Sequence, residues 1–344
     1  MGQKTTLGWI LTFSSSSFRN RASSLHVSLA AEDPSSPDED LNSILKKFWE
    51  VESVPTPKSS VLMSNEDQEC EHHFQETHSR DSSGRYMVEL PFKFAEPTFP
   101  GTFAAAKMTL LRAEKRFRSN PNLRECYHAF MREYFDLGHM FEVGNEISIL
   151  PHELDASYFI PHHGIFQGTS SHPKFRVVFN ASMKALNGQS LNDVLFAGPS
   201  LQTNIVDIII KWRSLRYVYS ADIQKMYRQV NMKKDHHRFQ RILWRFSEED
   251  PISIFNLNTV TYGVSPSAYQ ALRCLRQLSI DEAKNFPSVA NFTAENMYVD
   301  DAFFGADTIQ EAVSIAEQFC NFLMAGGFPL RKWAANPLSH LPVD

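Results

Sequence analysis

Apolar side chains recur at helical spacing in several stretches of this 344-residue chain. That spacing predicts helices over 41–51, 101–118, 121–137, 201–213, 266–280 and from 308 to the glycine pair at 326–327. Two of the predicted boundaries carry additional signals. Asn120-Pro121 supplies a cap and a first-turn proline for the third helix, and Gly138 supplies a stop. Thr308 and Glu311 are spaced as a capping box at the start of the last helix.

Runs rich in β-branched and aromatic residues predict strands over 7–13, 86–92, 174–180, 217–221, 239–246, 252–260 and 328–333. Asp300-Asp301 lies between two further apolar runs. Neighbouring side chains on a flat strand point to opposite faces, so the two carboxylates share a face only at a bend. We therefore expect them at the tip of a β-hairpin. The element order predicts an α+β fold in which helices cover one face of an antiparallel sheet.

Charge divides the chain into regions of opposite sign. Residues 31–90 carry 14 acidic and 5 basic side chains, a net of 5 − 14 = −9. Residues 171–245 carry 13 basic and 4 acidic side chains, a net of 13 − 4 = +9. The basic centre suggests a polyanionic partner, although a solvated basic face explains the charge equally well without further motifs. No apolar run approaches the ~20 residues that a membrane span needs, so we expect no membrane partner.

Cysteine usage points to a reducing compartment. The four cysteines are widely spaced in apolar or helical surroundings, which does not resemble a disulfide framework. Cys70 with His72, His73 and His78 could ligate zinc, but no second cysteine pair completes a familiar spacing.

Three aspartates carry the main chemical signal. Asp222 ends the predicted strand 217–221, and Asp300-Asp301 follow about 80 residues later. Each feature alone has an ordinary explanation, because Asp222 could cap a helix and an Asp-Asp pair is typical of a solvated turn. If the two elements are sheet neighbours, the carboxylates converge. They could then clamp two Mg²⁺ ions ~3.5–4 Å apart for in-line attack on a phosphorus atom, with Mn²⁺ as a substitute.

Two basic residues could serve the same chemistry. Lys174 and Arg176 are two positions apart on a predicted strand, so both side chains lie on one face and could grip a triphosphate. A solvated strand face is the alternative interpretation of the pair.

These residues resemble a reverse transcriptase, specifically that of BEL/Pao long-terminal-repeat retrotransposon polyproteins. The polymerase signature is matched by Tyr298-Val299-Asp300-Asp301, and the resemblance runs from about residue 44 to the end of the chain. Other segments resemble the same lineage: Phe48-Trp49-Glu50, Arg85-Tyr86-Met87-Val88, Leu90-Pro91-Phe92, 134–140, Pro161-His162-His163, 175–182, Leu191-Asn192-Asp193, Ala221-Asp222-Ile223, Met226-Tyr227-Arg228-Gln229 and Leu330-Arg331-Lys332-Trp333.

The resemblance implies roles for individual positions. Asp222, Asp300 and Asp301 would hold the two metals. Arg176, with Lys174 as a second candidate, would contact the incoming deoxynucleoside triphosphate. The following positions are also matched: Tyr227 to the residue that blocks a ribose 2′-hydroxyl, Tyr262 and Gly263 to the motif against the nucleotide and template, and Lys332 to the lysine that assists pyrophosphate departure.

The resemblance also implies a domain plan. Residues 1–30 would be a remnant of the preceding aspartic protease and a linker, because Leu7 to Leu11 is similar to that protease's closing strand. Residues 31–84 would be an acidic, partly disordered linker, and 85–150 a helical connector. Residues 151–344 would form fingers and a palm with a ferredoxin-like sheet. Thumb, RNase H and integrase are expected to be absent.

Some positions depart from the family pattern. Pro266 stands early and Ala268 occupies the later position where an Ala-Pro pair is usual, so the floor of the nucleotide pocket is expected to be altered. Asn180 stands where Asp is common.

The implied activity is RNA-directed DNA synthesis, by two-metal nucleotidyl transfer to a primer 3′-hydroxyl. An RNA or DNA template with its primer would be the partner. The resemblance implies an intracellular, cytoplasmic address in a virus-like particle, and the oligomeric state is open. The alternative is an inactive retroelement remnant that at most binds nucleic acid. A fold that placed Asp222 far from the Asp300-Asp301 pair would contradict the polymerase interpretation.

Overall fold

The computed structural model describes residues 2–5, 8–11, 63–95, 97–145, 148–167 and 174–336. The chain forms two units, Met1–Asn42 and Ser43–Asp344. In the first unit, β1 (Gly2–Thr5) pairs antiparallel with β2 (Gly8–Leu11), which falls within the predicted strand 7–13. The predicted helix 41–51 lies outside the described residues.

The second unit mixes helices and strands, which confirms the α+β class. Its described helices are α1 Asn65–Thr77, α2 Thr102–Ser119, α3 Pro121–Asp136, α4 Pro151–Asp155, α5 Ile205–Arg213, α6 Ser267–Asp281, α7 Phe292–Glu295 and α8 Ile309–Ala325. Its described strands are β3 Ser79–Arg80, β4 Tyr86–Val88, β5 Met140–Asn145, β6 His162–Gln167, β7 Lys174–Phe179, β8 Tyr217–Ile223, β9 Asn231–Met232, β10 Arg241–Trp244, β11 Ser253–Leu257, β12 Met297–Tyr298, β13 Asp301–Ala306 and β14 Leu330–Asn336.

Local signals placed the helix pair α2 and α3 well. The side chain of Asn120 accepts a hydrogen bond from the Leu123 amide and so caps α3, as predicted. The buried residues of α3 are Leu123, Tyr127, Met131 and Tyr134, which recur at helical spacing. Gly138 follows the helix with φ +68°, a conformation that glycine adopts without strain.

Within residues 31–84, which the sequence predicts to be an acidic and partly disordered linker, the structure describes the helix α1. Ser64 caps it by accepting from the Asp67 amide, and Cys70 and Phe74 are buried. Glu71 receives hydrogen bonds from Arg273 of α6 and from the Tyr269 hydroxyl at 2.7 Å. With only two buried apolar residues, the segment shows no helical hydrophobic period in the sequence. Contacts with the remote helix α6 stabilise α1 instead. The predicted disorder of residues 31–62 lies outside the described residues.

A four-stranded antiparallel sheet carries the predicted aspartates. Its strand order is β12-β13-β8-β14. Along the chain, β9, β10, β11, α6 and α7 lie between β8 and β12, a tight turn joins β12 to β13, and α8 connects β13 to β14. If only the strands of this sheet and the helices between them are counted, the order is β-α-β-β-α-β.

The two faces of this sheet differ in burial. Residues of β8 alternate, so that Tyr219, Ala221 and Ile223 are buried while Asp222 is half-buried on the opposite face. The buried face packs on α8, where the Phe304 and Phe319 rings lie 5.2 Å apart in an edge contact. The sheet therefore presents its carboxylates on the face away from α8.

A second region forms around the β6-β7 hairpin. Tyr127 of α3 stacks on Trp244 of β10 with ring centroids 5.3 Å apart, which ties the helix pair to the sheet β10-β11-β5. Smaller pairings complete the unit, including the parallel contact of β4 with β9. Among the described residues, no helix is both long and apolar enough to cross a membrane.

Candidate functional site

Asp222 and Asp301 face each other across two neighbouring strands. They are directly paired in the antiparallel register of β8 and β13, which places their Cβ atoms within about 4.5–5.5 Å. Asp300 lies in the adjoining turn, and its carbonyl accepts a hydrogen bond from the Ile223 amide at 2.8 Å. The structure thus brings the three aspartates, which the sequence places some 80 residues apart, to neighbouring backbone positions.

The hairpin tip differs by one residue from the prediction. Tyr298 pairs with Asp301, so the turn consists of Val299 and Asp300, and Asp301 already belongs to β13. Gln202 holds this turn from a distant loop. Its side-chain oxygen accepts from the Val299 amide at 2.8 Å, and its amide nitrogen donates to the Met297 carbonyl at 3.2 Å. Gln202 carried no sequence signal because its role depends on a contact 95 residues away.

Backbone strain is concentrated at this site. In the described part of the chain, the non-glycine residues with positive φ are Lys225 at 53°, Val299 at 55° and Lys332 at 54°. That conformation is uncommon for residues with a Cβ and rare for a β-branched one. Val299 is in the turn between the acidic strands, Lys332 lies beside Asp222, and Lys225 is three residues after it. Such strain persists where surrounding structure holds a functional geometry.

The acidic cluster repels itself. Burial raises the pKa of Asp300, and the neighbouring charges of Asp301 and Asp222 add to that rise. The pKa of Asp301 is raised by burial and then by Asp222. A raised carboxyl pKa in the folded state means that ionisation costs stability as the pH rises toward neutrality. The cluster therefore favours any cation that can lie among its carboxylates.

Lys332 supplies one such cation. Its ammonium forms an ion pair with Oδ2 of Asp222. The Lys332 side chain is 75% exposed, whereas that of Asp222 is 17% exposed. Its neighbour Arg331 pairs in register with Asp222, and β14 has an irregularity between Arg331 and Ala334. This break in the strand places Lys332 against the acidic cluster. The family resemblance assigns Lys332 and these aspartates to one catalytic site.

The donor set suits a hard divalent cation, although the present arrangement is not a ligand cage. Carboxylate oxygens are the ligands that Mg²⁺ prefers. The Oδ1 atom of Asp222 is buried without a hydrogen-bond partner among the described residues. Within the same residues, no three His, Cys, Asp or Glu side chains are grouped closely enough to hold a metal ion, and this includes Cys70, His72, His73 and His78. Metal binding by the aspartates stays a prediction.

Four of the predicted nucleotide-binding residues line one cavity. Its volume is about 500 Å³, which lies within the range of small-molecule sites. Lys174 and Arg176 project from the same face of β7, and Tyr227 enters from the short helical turn Met226–Gln229 after β8. Tyr262 closes another wall, and its hydroxyl donates to the Val177 carbonyl at 2.9 Å. The turn that carries Tyr227 begins three residues after Ile223, which joins the cavity to the acidic strand.

Gly263 follows Tyr262 in the chain but is not among the residues that line the cavity. Its carbonyl accepts from the side-chain amide of Asn192 at 3.0 Å, and its φ is +88°. A residue with a Cβ would be strained in that conformation. Asn192 also accepts from the Ser265 amide at 2.8 Å. This one side chain thus holds both ends of the turn that leads into α6.

Three charged cavity residues carried no assignment from the sequence. Lys225 and Arg228 belong to the segment after β8, and Glu133 comes from α3. Glu133 forms ion pairs with Lys225 at 2.9 Å and with Arg228 at 3.0 Å. The basic character of the segment 171–245 was a signal for the two cations. Nothing in the spacing could place Glu133, because 95 residues separate it from Arg228.

Replacing Lys332 is expected to destabilise the metal-free protein. Hydrogen bonding to Asp222 raises the pKa of Lys332. A lysine with a raised folded pKa contributes its full stabilisation below its ordinary pKa and loses it as the pH rises through the folded value. Lys332→Met should therefore lower the unfolding free energy at pH 7, by about 1 kcal/mol or less because the lysine is exposed.

Thermal unfolding with and without Mg²⁺ measures this effect. We expect added Mg²⁺ to raise the unfolding midpoint of Lys332→Met more than that of the unmodified chain, since the ion replaces the missing cation. Lys284→Met removes an exposed lysine elsewhere and serves as the control. Equal midpoints for all three proteins in both conditions would contradict the role given to Lys332.

Comparison with known proteins finds a weak structural similarity to part of this chain. No protein-family model and no curated protein matches the chain. Among the solved structures that match is a foamy-virus protease-reverse transcriptase in complex with double-stranded DNA. The two chains are 16% identical, with a TM-score of 0.39. The matched region covers 57% of this chain and 28% of that one.

Proposed function

We propose that residues 151–344 are the fingers and palm of a reverse transcriptase of the BEL/Pao retrotransposon type. The reaction would be RNA-directed DNA synthesis on an RNA or DNA template, with deoxynucleoside triphosphates as substrates. The observation that carries the proposal is the cross-strand pairing of Asp222 with Asp301, with Asp300 in the adjoining turn. The four-stranded sheet would be the palm, and the β6-β7 hairpin would belong to the fingers.

The acidic cluster would hold two divalent ions through Asp222, Asp300 and Asp301. When bound, such a pair activates a primer 3′-hydroxyl and stabilises the leaving pyrophosphate. Two features support the assignment: the unpartnered Oδ1 of Asp222 and the raised pKa values of Asp300 and Asp301. A cation bound among these carboxylates would pair with Oδ1 and would reduce the repulsion that raises the pKa values. Lys332 would leave Asp222 when the ions bind and would then be placed to assist pyrophosphate departure.

The cavity residues would position the nucleotide. Arg176 presents a planar fork that suits phosphate oxygens, and Lys174 adds a point charge on the same strand face. Tyr262 and Gly263 would lie against the base and the template. The partners and the address in a virus-like particle belong to this proposal through the family resemblance alone.

Primer extension on an RNA template with Mg²⁺ tests the proposal. We expect template-dependent deoxynucleotide incorporation by the chain, and a fusion to a thumb domain from the family is assayed beside it. Filter binding at rising salt distinguishes the alternative. An inactive remnant would bind nucleic acid with the usual steep loss of affinity in salt and incorporate no nucleotide.

Tyr227 is expected to select the sugar of the nucleotide. Its ring lies in the cavity wall, five residues after Asp222, where a bulky side chain would clash with a ribose 2′-hydroxyl. Tyr227→Val should raise incorporation of ribonucleotides relative to deoxynucleotides by about 100-fold, since steric rejection of one group is worth a few kcal/mol. Competing single-nucleotide extensions measure the ratio. Tyr217→Val, at the opposite end of β8 from Asp222, is a matched control, and an unchanged ratio in Tyr227→Val would contradict the assignment.

A further inference from the structure

The cavity beside β7 carries more positive charge than the two predicted phosphate contacts supply. Lys174 and Arg176 line one wall, and Lys225 and Arg228 line another. Glu133 is the acidic residue in the described lining. Four cations facing one carboxylate leave a net charge of 4 − 1 = +3 in a cavity of about 500 Å³. A concave site of that size and charge fits a compact polyanion.

Arg228 is fixed in place by its surroundings. Its guanidinium lies 4.4 Å from the centre of the Tyr134 ring and 5.9 Å from that of Phe130, and its side chain is 12% exposed. The backbone carbonyl of Arg228 accepts a hydrogen bond from Arg85 at 2.7 Å. A cation stacked on two rings and held through its backbone is positioned before any ligand arrives.

Glu133 is the most exposed partner of the ion pairs. Its side chain is 44% exposed, compared with 24% for Lys225. It lies near the C-terminal end of α3, so a rotation about its side-chain bonds would carry the carboxylate toward solvent. Burial raises the pKa of Glu133, but the hydrogen bonds from Lys225 and Arg228 outweigh that effect and hold the pKa below its ordinary value. The carboxylate is therefore an anion bound by two cations.

A carboxylate between a lysine and an arginine occupies the position that phosphate oxygens would take. Arginine and lysine bind both groups through the same charge-assisted hydrogen bonds. Lys225 also has a φ of 53°, which indicates that the surrounding structure holds its backbone in a strained conformation. A polyphosphate bound to these two cations would therefore compete with Glu133 for their N–H donors.

We propose that Lys225 and Arg228 form a second phosphate-binding pair, which Glu133 occupies until a nucleoside triphosphate displaces it. The α- to γ-phosphates would then lie between this pair and the cations of β7. Four cations balance the charge of about −4 on a triphosphate once Glu133 has rotated away. The naming of a nucleotide rests on the proposed polymerase function, whereas the binding of a polyphosphate does not.

Calorimetric titration of the whole chain with inorganic tripolyphosphate, in the absence of metal, tests the exchange. Glu133→Gln removes the competing anion and is expected to tighten binding by about tenfold. Lys225→Gln removes a cation and is expected to weaken binding by about tenfold. Glu142→Gln, which neutralises an exposed acid on β5, is the control and should leave the affinity unchanged. Circular dichroism spectra and unfolding midpoints check that each variant is folded.

Glu133→Gln and Lys225→Gln are expected to change the affinity for tripolyphosphate in opposite directions, and a purely structural ion pair would not produce that result. If Glu133 only stabilises the fold, then Glu133→Gln would bind tripolyphosphate no more tightly than the unmodified chain, and that result would overturn the proposal. The titration measures binding alone, so its result does not depend on whether the chain is a polymerase. Tighter binding in Glu133→Gln together with failed primer extension would support the phosphate site and count against the polymerase. Unchanged binding of tripolyphosphate in Glu133→Gln together with successful primer extension would support the polymerase and count against the phosphate site.

Discussion

Asp222→Asn is expected to reduce primer extension by at least about 1,000-fold, because it removes one charge that holds the ions at the reacting phosphate. Asparagine keeps the size of the side chain and its place in β8. The fold should therefore survive. Removal of one carboxylate relieves repulsion on Asp300 and Asp301, while the partner of Lys332 is lost. We expect these opposing effects to leave the unfolding free energy within about 1 kcal/mol of the original.

Single-turnover extension with saturating deoxynucleotide and Mg²⁺ measures this effect. Asp207→Asn is the matched control, since Asp207 is an exposed carboxylate in the first turn of α5. A folded Asp222→Asn variant that extends a primer within tenfold of the unmodified rate would contradict the role of this carboxylate. Loss of activity together with loss of the fold would instead identify Asp222 as a structural residue.

Glu71→Ala is expected to destabilise the second unit by about 3 kcal/mol, because it breaks a largely buried ion pair and leaves one charge unpaired. Arg273 is 9% exposed and donates to Glu71 at 2.9 Å, and the Tyr269 hydroxyl donates to the same carboxylate at 2.7 Å. Both donors would lose their acceptor. Chemical denaturation should show the loss in the midpoint with an unchanged slope.

Glu66→Ala is the control for this experiment. Glu66 is on the same helix, but its ion pair with Lys93 is long at 3.4 Å and its side chain is 66% exposed. Its removal should cost less than about 0.5 kcal/mol. Equal effects of the two substitutions would show that α1 is not anchored through Glu71.

The pH dependence of the same contact has a definite sign. Burial raises the pKa of Glu71, and the hydrogen bonds from Arg273 and Tyr269 outweigh it, so the folded pKa lies below its ordinary value. A carboxyl group of this kind stabilises the fold above its unfolded pKa and loses that contribution as the pH falls through the folded value. The difference in stability between the unmodified chain and Glu71→Ala should therefore shrink in acid.

Local signals were sufficient for much of the fold. Helices α3 and α8 begin where their caps predicted, since Asn120 and Thr308 both accept from backbone amides in the first turn. Strand β7 ends one residue before its predicted range 174–180 and places Lys174 and Arg176 along the cavity. These features depend on residues that are close together in the chain.

The features that the sequence did not predict depend on contacts between remote residues. The helix α1 is stabilised by residues of α6 about 200 positions later. Asp301 begins β13 instead of ending the turn, because the pairing of Tyr298 with Asp301 closes a turn of only two residues. Glu133 reaches the cavity only through the packing of α3 beside β7. Spacing along the chain carries no information on such contacts.

Titration of the chain with Mn²⁺ tests the central claim most directly, because the claim concerns ions shared by three carboxylates. In the presence of a deoxynucleoside triphosphate, calorimetry should show saturable binding of two ions per chain. Electron paramagnetic resonance should show magnetic coupling between them, as expected for ions ~3.5–4 Å apart. Both signals should be lost in Asp222→Asn and in Asp301→Asn. Saturable, coupled binding that persists in these folded variants, or no saturable binding to the unmodified chain, would contradict the account.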